Sequence, residues 1–542
     1  MYLKRIIPKM IPAIILLYFI LQTMILSSAE TPSDTELRYT MSYIYFGSTG
    51  SYIPHVDRTN GSLDEISPNY FNLNKDGSLA LTPATERTFI DEMHRRDISV
   101  VPFLSNHWDR ELGQAALARR EELAGQLAEA VERYDLDGVN VDIENLTENE
   151  RDLHTDFIRI LRDKLPDEKI IGVSVAANPY GITTDWKGSY DYESLGKHSD
   201  YLMIMAYDEH YRGGEPGTVA SISLAEKSIQ YALSKVPKEK ILLGIPFYGR
   251  IWKNGSGFPQ GVGISNMEVQ TLVSQYEGSA AFDPETFTPT ATIKVKEKDE
   301  KLKIRGIPIG PGTYTICYEN ELSIKQKLRL IEKYDIKGTG SWSLGEETAD
   351  TWEYYKLWSN GCYFDDVGKH WARDYIIKAY KKNWVMGVTQ TTFCPDRPLT
   401  RAEASAMLVR LLKLPAQFFE ESTFTDVSGH WAEGAIDTAW SHNIVKGVAK
   451  DRFEPEAPIT REQMAVILHS VLEPYTFYGE GKPLSFSDVS PESNPWSWEA
   501  IEHIDGLGII SGFGDGSFRP KEALTRGQMT VIMSKLEKIC AK

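Results

Sequence analysis

Between Asp137 and Glu144 the chain reads Asp-Gly-Val-Asn-Val-Asp-Ile-Glu, so that Val139, Val141 and Ile143 alternate with Asn140, Asp142 and Glu144. A period of two belongs to a β-strand with two unlike faces. The flanking segments have helical periodicity, which predicts a parallel strand with its apolar face under helices and its polar face turned into a closed sheet. Carboxylates placed there cost several kcal/mol unless paired, hydrogen-bonded or protonated. Asp142 and Glu144 stand roughly 6 to 7 Å apart along one face. Two like charges that close favour sharing a proton, and the group whose pKa rises becomes a candidate general acid. A solvated edge strand or a metal site would use similar residues. An EF-hand loop does not fit, because its Asp/Asn spacing and closing Glu are missing.

The stretch resembles the D-x-x-D-x-D-x-E signature of glycoside hydrolase family 18. Asp137, Asp142 and Glu144 match, and Asn140 stands where the family usually has Asp. Further matches follow in order: Met205-Ala206-Tyr207-Asp208 resembles a Met-x-Tyr-Asp element, Gly244 to Arg250 resembles the penultimate strand, and Trp342 stands on the last one. The resemblance implies a retaining reaction in which the substrate's own 2-acetamido oxygen is the nucleophile, an exception to the two-carboxylate scheme. Glu144 would protonate the leaving oxygen, and Asp142 would orient the acetamide and stabilise the oxazolinium. Tyr207 would bond the acetamide oxygen, and Asp208 would contact the sugar. Tyr248 and Arg250 would face the cleft and Trp342 would floor it. Asp137, Asn140 and Met205 complete the expected substrate-binding set, with Asn140 donating a hydrogen bond to Asp142.

Short apolar runs at Leu37 to Gly47, Ile98 to Leu104, Ile170 to Ala176, Tyr201 to Tyr207, Ile241 to Phe247 and Gly338 to Leu344 read as strands. Helical stretches lie between several of them: Arg110 to Tyr134, a helix opened by a Thr147/Glu150 capping box, Leu224 to Lys235, and Ser323 to Tyr334. Alternation of this kind predicts a (β/α)8 TIM barrel over residues 35–358. A Gly- and Thr-rich stretch at about 254–315 breaks the rhythm and reads as a small α+β insertion; the family resemblance implies that it walls the cleft.

After Trp358 the chain repeats itself three times. Phe364-Asp365-Asp366-Val367 answers to Phe424-Thr425-Asp426-Val427 and Phe486-Ser487-Asp488-Val489; Trp371, Trp431 and Trp496 recur, and each unit closes on Thr-Arg at 400–401, 460–461 and 525–526. The units, at 362–413, 422–473 and 484–538, resemble S-layer homology motifs. That resemblance implies a mainly helical triple-repeat domain that binds secondary cell-wall polymers of Gram-positive envelopes. Thr400 with Glu403, Thr460 with Gln463 and Thr525 with Gln528 have capping-box spacing. Arg401, Arg461 and Arg526 have no such local explanation, since a helix N-terminus disfavours cations. They are therefore expected, with the three Trp, to hold an anionic polymer, the alternative being a surface salt bridge.

The net charge of −17 makes nucleic acid an improbable partner. Residues 1–29 carry Lys4, Arg5 and Lys9, an apolar run and then small residues, the order of a secretory signal, with an uncleaved membrane anchor as the alternative. Cys317, Cys362, Cys394 and Cys540 are too widely spaced for a metal motif, and no cofactor is expected. The combined expectation is a secreted glycosidase held non-covalently on a Gram-positive wall, acting on an N-acetylglucosamine polymer, either chitin or peptidoglycan. Its rivals are a non-catalytic lectin on the same barrel and a structural envelope protein.

Overall fold

The computed structural model describes residues 36–255, 257–417, 419, 422–473, 484 and 486–540, so the expected signal segment lies outside it. Eight parallel strands form a ring: β1 Tyr39–Ile44, β2 Glu65–Pro68, β3 Ser99–Val100 continued as Phe103–Ser105, β4 Gly138–Asp142, β5 Ile170–Ala176, β6 Tyr201–Met205, β7 Ile241–Pro246 and β8 Gly338–Trp342. Pro102 has no N–H to give a ladder and splits β3. The first half pairs with β2 and the second with β4, while β8 pairs with both β7 and β1, so the ring closes as the alternation predicts. Val139, Val141 and Ile143 are fully buried beneath the surrounding helices, and Asn140 is fully buried on the opposite face.

Three local expectations change. The helix expected from 110 to 134 is two helices, Arg110–Ala118 and Arg120–Tyr134, jointed at Arg119. Glu150 reaches back to the Thr147 backbone N–H at 2.8 Å, yet the helix begins only at Arg151, so the box closes a turn ahead of it. The insertion begins earlier than position 254. Tyr248–Lys253 belongs to a five-stranded antiparallel sheet that also contains Val262–Ser265, Gly312–Cys317, Thr288–Val295 and Glu277–Asp283. Alternation across Phe247 hides the break: Phe247 N–H still makes the β7–β8 ladder bond to the Trp342 carbonyl, but Tyr248 already pairs with Ser265 in the antiparallel sheet, and Gly249 packs where a Cβ would meet Cys317 O at 2.5 Å.

The three repeats close on one another. Leu399 N–H donates to Leu524 O, Leu524 to Ile459 O and Ile459 to Leu399 O, a ring of three bonds of 2.8 to 2.9 Å. All three expected capping boxes form. The cysteines are free thiols.

Among the described residues it is the first repeat that docks on the barrel, at the N-terminal ends of its strands. Arg373 donates to the carbonyls of Asn60 and Gly61 and to Ser62 Oγ at 3.0 to 3.1 Å. A Cβ on Gly368 would lie 1.9 Å from Glu353 O. The other repeats have Glu433 and Trp498 at the first of these positions, and Ser428 and Ser490 at the second. The departures from the repeat therefore encode the seam. Gly368→Ser, which imports the second repeat's residue, is expected to cost about 1–3 kcal/mol of overpacking. Proteolysis between 359 and 362 should be faster than in the parent, while hydrolytic activity is kept.

Candidate active site

At the C-terminal ends of the strands, where barrel sites are built, lies a cavity of about 540 Å³. Asp142 is the last residue of β4, Met205 of β6 and Trp342 of β8; Glu144 and Tyr207 follow two residues after their strands, and Asp208, Tyr248 and Arg250 complete the wall. Eight of the ten expected barrel residues are thus brought together.

The β3–β4 register sets Ser105 opposite Asp142. Burial pushes the Asp142 carboxyl up to about 7, against a hydrogen bond from Ser105 that pulls it down. Its Oδ1 is buried without a partner among the described residues. Glu144 is half-buried, and burial raises its carboxyl well above the ordinary range, helped by the charges of Asp142 and Asp208. Asn106 clamps its main chain, accepting from Glu144 N–H at 2.8 Å and donating to Glu144 O at 2.9 Å. A carboxyl fixed in this way and raised well above the ordinary carboxylate range is suited to general-acid work.

Asp208 stands at φ 58°, where Tyr248 Oη donates at 2.7 Å and Arg250 grips both its oxygens at 2.7 Å. Arg250 also donates to Gly261 O, which ties the insertion to the site. Arg250 and Tyr248 thus fix the Asp208 carboxylate, whose charge helps raise the Glu144 carboxyl. The Tyr207 ring meets Tyr248 edge-on at 6.1 Å, while Trp342 packs on Tyr43 at 5.3 Å and Tyr45 at 5.7 Å.

Two expected residues are elsewhere. Asp137 precedes β4 at the opposite end of the barrel, where its Oδ2 meets His94 Nε2 at 2.8 Å and accepts from Val100 N–H at 2.7 Å. Its place is structural, joining β4 to the neighbouring strand and helix. Asn140 lies below the cavity and does not serve Asp142 as expected. Its Nδ2 donates to Tyr201 Oη at 3.1 Å, while its Oδ1 accepts from Tyr43 Oη at 3.1 Å and Ser174 Oγ at 3.0 Å.

In the repeats the arginines are also a correction. Arg401, Arg461 and Arg526 are 3 to 7% exposed. Arg401 donates to Phe453 O and Lys446 O, Arg461 to Phe518 O and Ser511 O, and Arg526 to Phe393 O and Met386 O. Each guanidinium also covers that same Phe ring at 4.4 to 4.7 Å. The side chain leaves its helix N-terminus to rivet the next unit, so carbonyls answer its charge, joined at Arg526 by the Glu403 carboxylate at 2.6 Å. Trp371, Trp431 and Trp496 remain 63%, 62% and 53% exposed.

Sequence reasoning did not single out Glu65, Tyr43, Ser105, Ser174 and Tyr201, which support the site from inside the barrel, nor Arg305, which covers the Phe46 ring at 3.9 Å and pairs with buried Glu346 at the rim. The period-two pattern of Met41, Tyr43 and Tyr45 was a usable signal for Tyr43.

The family model for glycosyl hydrolases family 18 matches residues 42–347, and that for the S-layer homology domain matches 363–405, 423–465 and 485–530. The chain is 26% identical over 318 residues to the uncharacterized glycosylase YvbX of Bacillus subtilis (strain 168), a match covering 57% of this chain and 88% of that one. It is 25% identical over 293 residues to the cortical fragment-lytic enzyme of the same organism, covering 52% and 64%. Among solved structures, the chitinase from Chromobacterium violaceum superposes with a TM-score of 0.52 at 25% identity, covering 59% of this chain and 98% of that one. The chain therefore belongs to the glycosyl hydrolases of family 18, with three S-layer homology motifs after its barrel.

Proposed function

We propose that the protein cleaves β-1,4 linkages following N-acetylglucosamine in chitin or peptidoglycan, with retention and with the substrate acetamide as nucleophile. The observation that carries this reading is the carboxylate pair at the cavity floor, Glu144 raised by burial and by Asp142, with one Asp142 oxygen without a partner among the described residues. Glu144 protonates the glycosidic oxygen as the acetamide oxygen attacks the anomeric carbon. Asp142 accepts from the acetamide N–H and balances the oxazolinium charge, and Tyr207 donates to the acetamide. Water, deprotonated by Glu144, then opens the ring. Arg250 and Tyr248 hold Asp208, and Trp342 supplies an apolar floor.

The three S-layer homology motifs support attachment to the cell surface, with the exposed Trp371, Trp431 and Trp496 offering stacking faces to a wall polymer. In this reading the chain is secreted, and among the described residues no helix is long and apolar enough to cross a membrane. The test is release of reducing ends from N-acetylglucosamine oligosaccharides and from purified peptidoglycan, with retention of the full chain on isolated Gram-positive walls measured alongside. Release from at least one substrate is expected. No release from either, with sugar binding intact, would make the barrel a lectin.

A further inference from the structure

We propose that Glu65, deep inside the barrel, is a positioning residue for the hydrolysis, holding the Asn140 amide beneath Asp142 through Tyr201. This rests on the glycosidase reading above.

Glu65 is fully buried and accepts from Tyr39 Oη at 2.7 Å and from Tyr201 Oη at 2.6 Å. Tyr201 Oη in turn accepts from Asn140 Nδ2, and Asn140 Oδ1 accepts from Tyr43 and Ser174. The strands are registered for this chain. Gly172 lies between Asn140 and Tyr201 in the ladder, and a Cβ there would fall 2.4 Å from the Tyr201 ring. The missing side chain leaves the phenol room to cross β5 and reach Asn140.

Proton counting fixes the amide. A phenol has one proton, and an ionised Glu65 takes it from Tyr201, so the Tyr201 oxygen accepts and Asn140 must present its NH2 to it. The Asn140 carbonyl then faces Tyr43 and Ser174, whose oxygens are themselves 2.7 Å apart, so the two hydroxyl protons are shared among these three atoms and held by them. Both of these residues line the cavity with Asp142. If the amide turned over, its NH2 would donate to the two hydroxyls and, with one proton kept between Tyr43 and Ser174, free the other for the Asp142 side of the cavity. That would lower the proton affinity of the Asp142–Glu144 pair. Glu65 therefore keeps the pair proton-bearing without touching substrate, and provides a carboxylate at one remove from position 140.

The groups facing Glu65 are Tyr39 from β1, Tyr201 from β6, Lys337 ahead of β8 and Asp137 ahead of β4. Burial raises its carboxyl to about 7, the two hydroxyls and Lys337 pull it down, and Asp137 pushes it up. The amide is thus pinned most firmly above that pH.

The experiment compares pH profiles of kcat and KM on N-acetylglucosamine oligosaccharides for the wild type, Glu65→Gln, Tyr201→Phe and the double variant Glu65→Gln/Asn140→Asp. In the first two variants kcat should fall about tenfold with KM unchanged, and the alkaline limb should move about one unit toward acid. The double variant, with a carboxylate introduced at position 140, should recover most of the rate. An active wild type whose Glu65→Gln variant keeps both limb and kcat, and differs only in melting temperature, overturns this proposal alone. A wild type with no activity removes the glycosidase reading and this proposal together.

Discussion

Glu144→Gln is expected to lower kcat for glycan cleavage by about 10²–10⁴-fold, the contribution of a positioned general acid, with KM little changed. Glutamine fills the same volume and leaves the Asn106 clamp on the main chain intact, since both of its bonds go to backbone atoms of residue 144. The variant should also be the more stable protein at alkaline pH. A carboxyl whose folded pKa lies above its unfolded value contributes stability that is present below the unfolded pKa and is lost as pH rises through the folded one. Glu144 is such a group, raised by burial and then by Asp142 and Asp208. Wild type therefore loses stability on the alkaline side that the glutamine variant keeps. Initial rates and melting temperatures at pH 5 and pH 8 would check both parts: the gap in melting temperature should widen with pH.

Lys327→Met should be the most damaging substitution away from the site. Lys327 and Glu319 are each 1% exposed, with Nζ and Oε2 2.7 Å apart, and Glu319 Oε1 is buried without a hydrogen bond among the described residues. Burial raises the Glu319 carboxyl and the Lys327 charge restrains that rise. Removing the ammonium leaves a buried carboxylate uncompensated, at a cost of about 3–5 kcal/mol. The sign of the pH dependence follows from the raised pKa. The penalty is small where Glu319 is protonated in both states and grows as pH rises through its folded value. Urea melts at pH 5 and pH 8 should show the variant recovering in acid, and Lys327→Met/Glu319→Leu should regain most of the loss at both.

The catalytic strand was legible because one face of it had to be dry: Val139, Val141 and Ile143 are buried under helices, which leaves Asn140, Asp142 and Glu144 one direction to point. The same alternation cannot tell the two ends of a barrel apart for a residue just outside the strand. Asp137 was therefore grouped with a site that it supports only from the far end of β4. Glu65 was missed because β2 has four residues, too few to show a period, and its partners Tyr39 and Tyr201 lie 26 and 136 positions away. The Thr-Arg elements fail in an instructive way. Helix-end electrostatics is a local rule, and by that rule the arginine needs an external anion. The carbonyls that satisfy it lie 45 to 57 residues ahead in the first two units and 133 and 140 residues back in the third. Only the closed ring of three units brings them within reach.

In the proposed reaction the substrate, not the protein, supplies the nucleophile that attacks the anomeric carbon, while Glu144 protonates the leaving oxygen. The most direct measurement is the cleavage rate of a series of N-acetylglucosaminides that differ only in fluorine substitution of the 2-acetamido methyl. Fluorine drains electron density from the carbonyl oxygen while barely changing the shape presented to Tyr207 and Trp342. A rate that falls steeply with each fluorine, by orders of magnitude across the series, is the predicted result. A rate indifferent to fluorination would place the nucleophile on the protein and contradict the account.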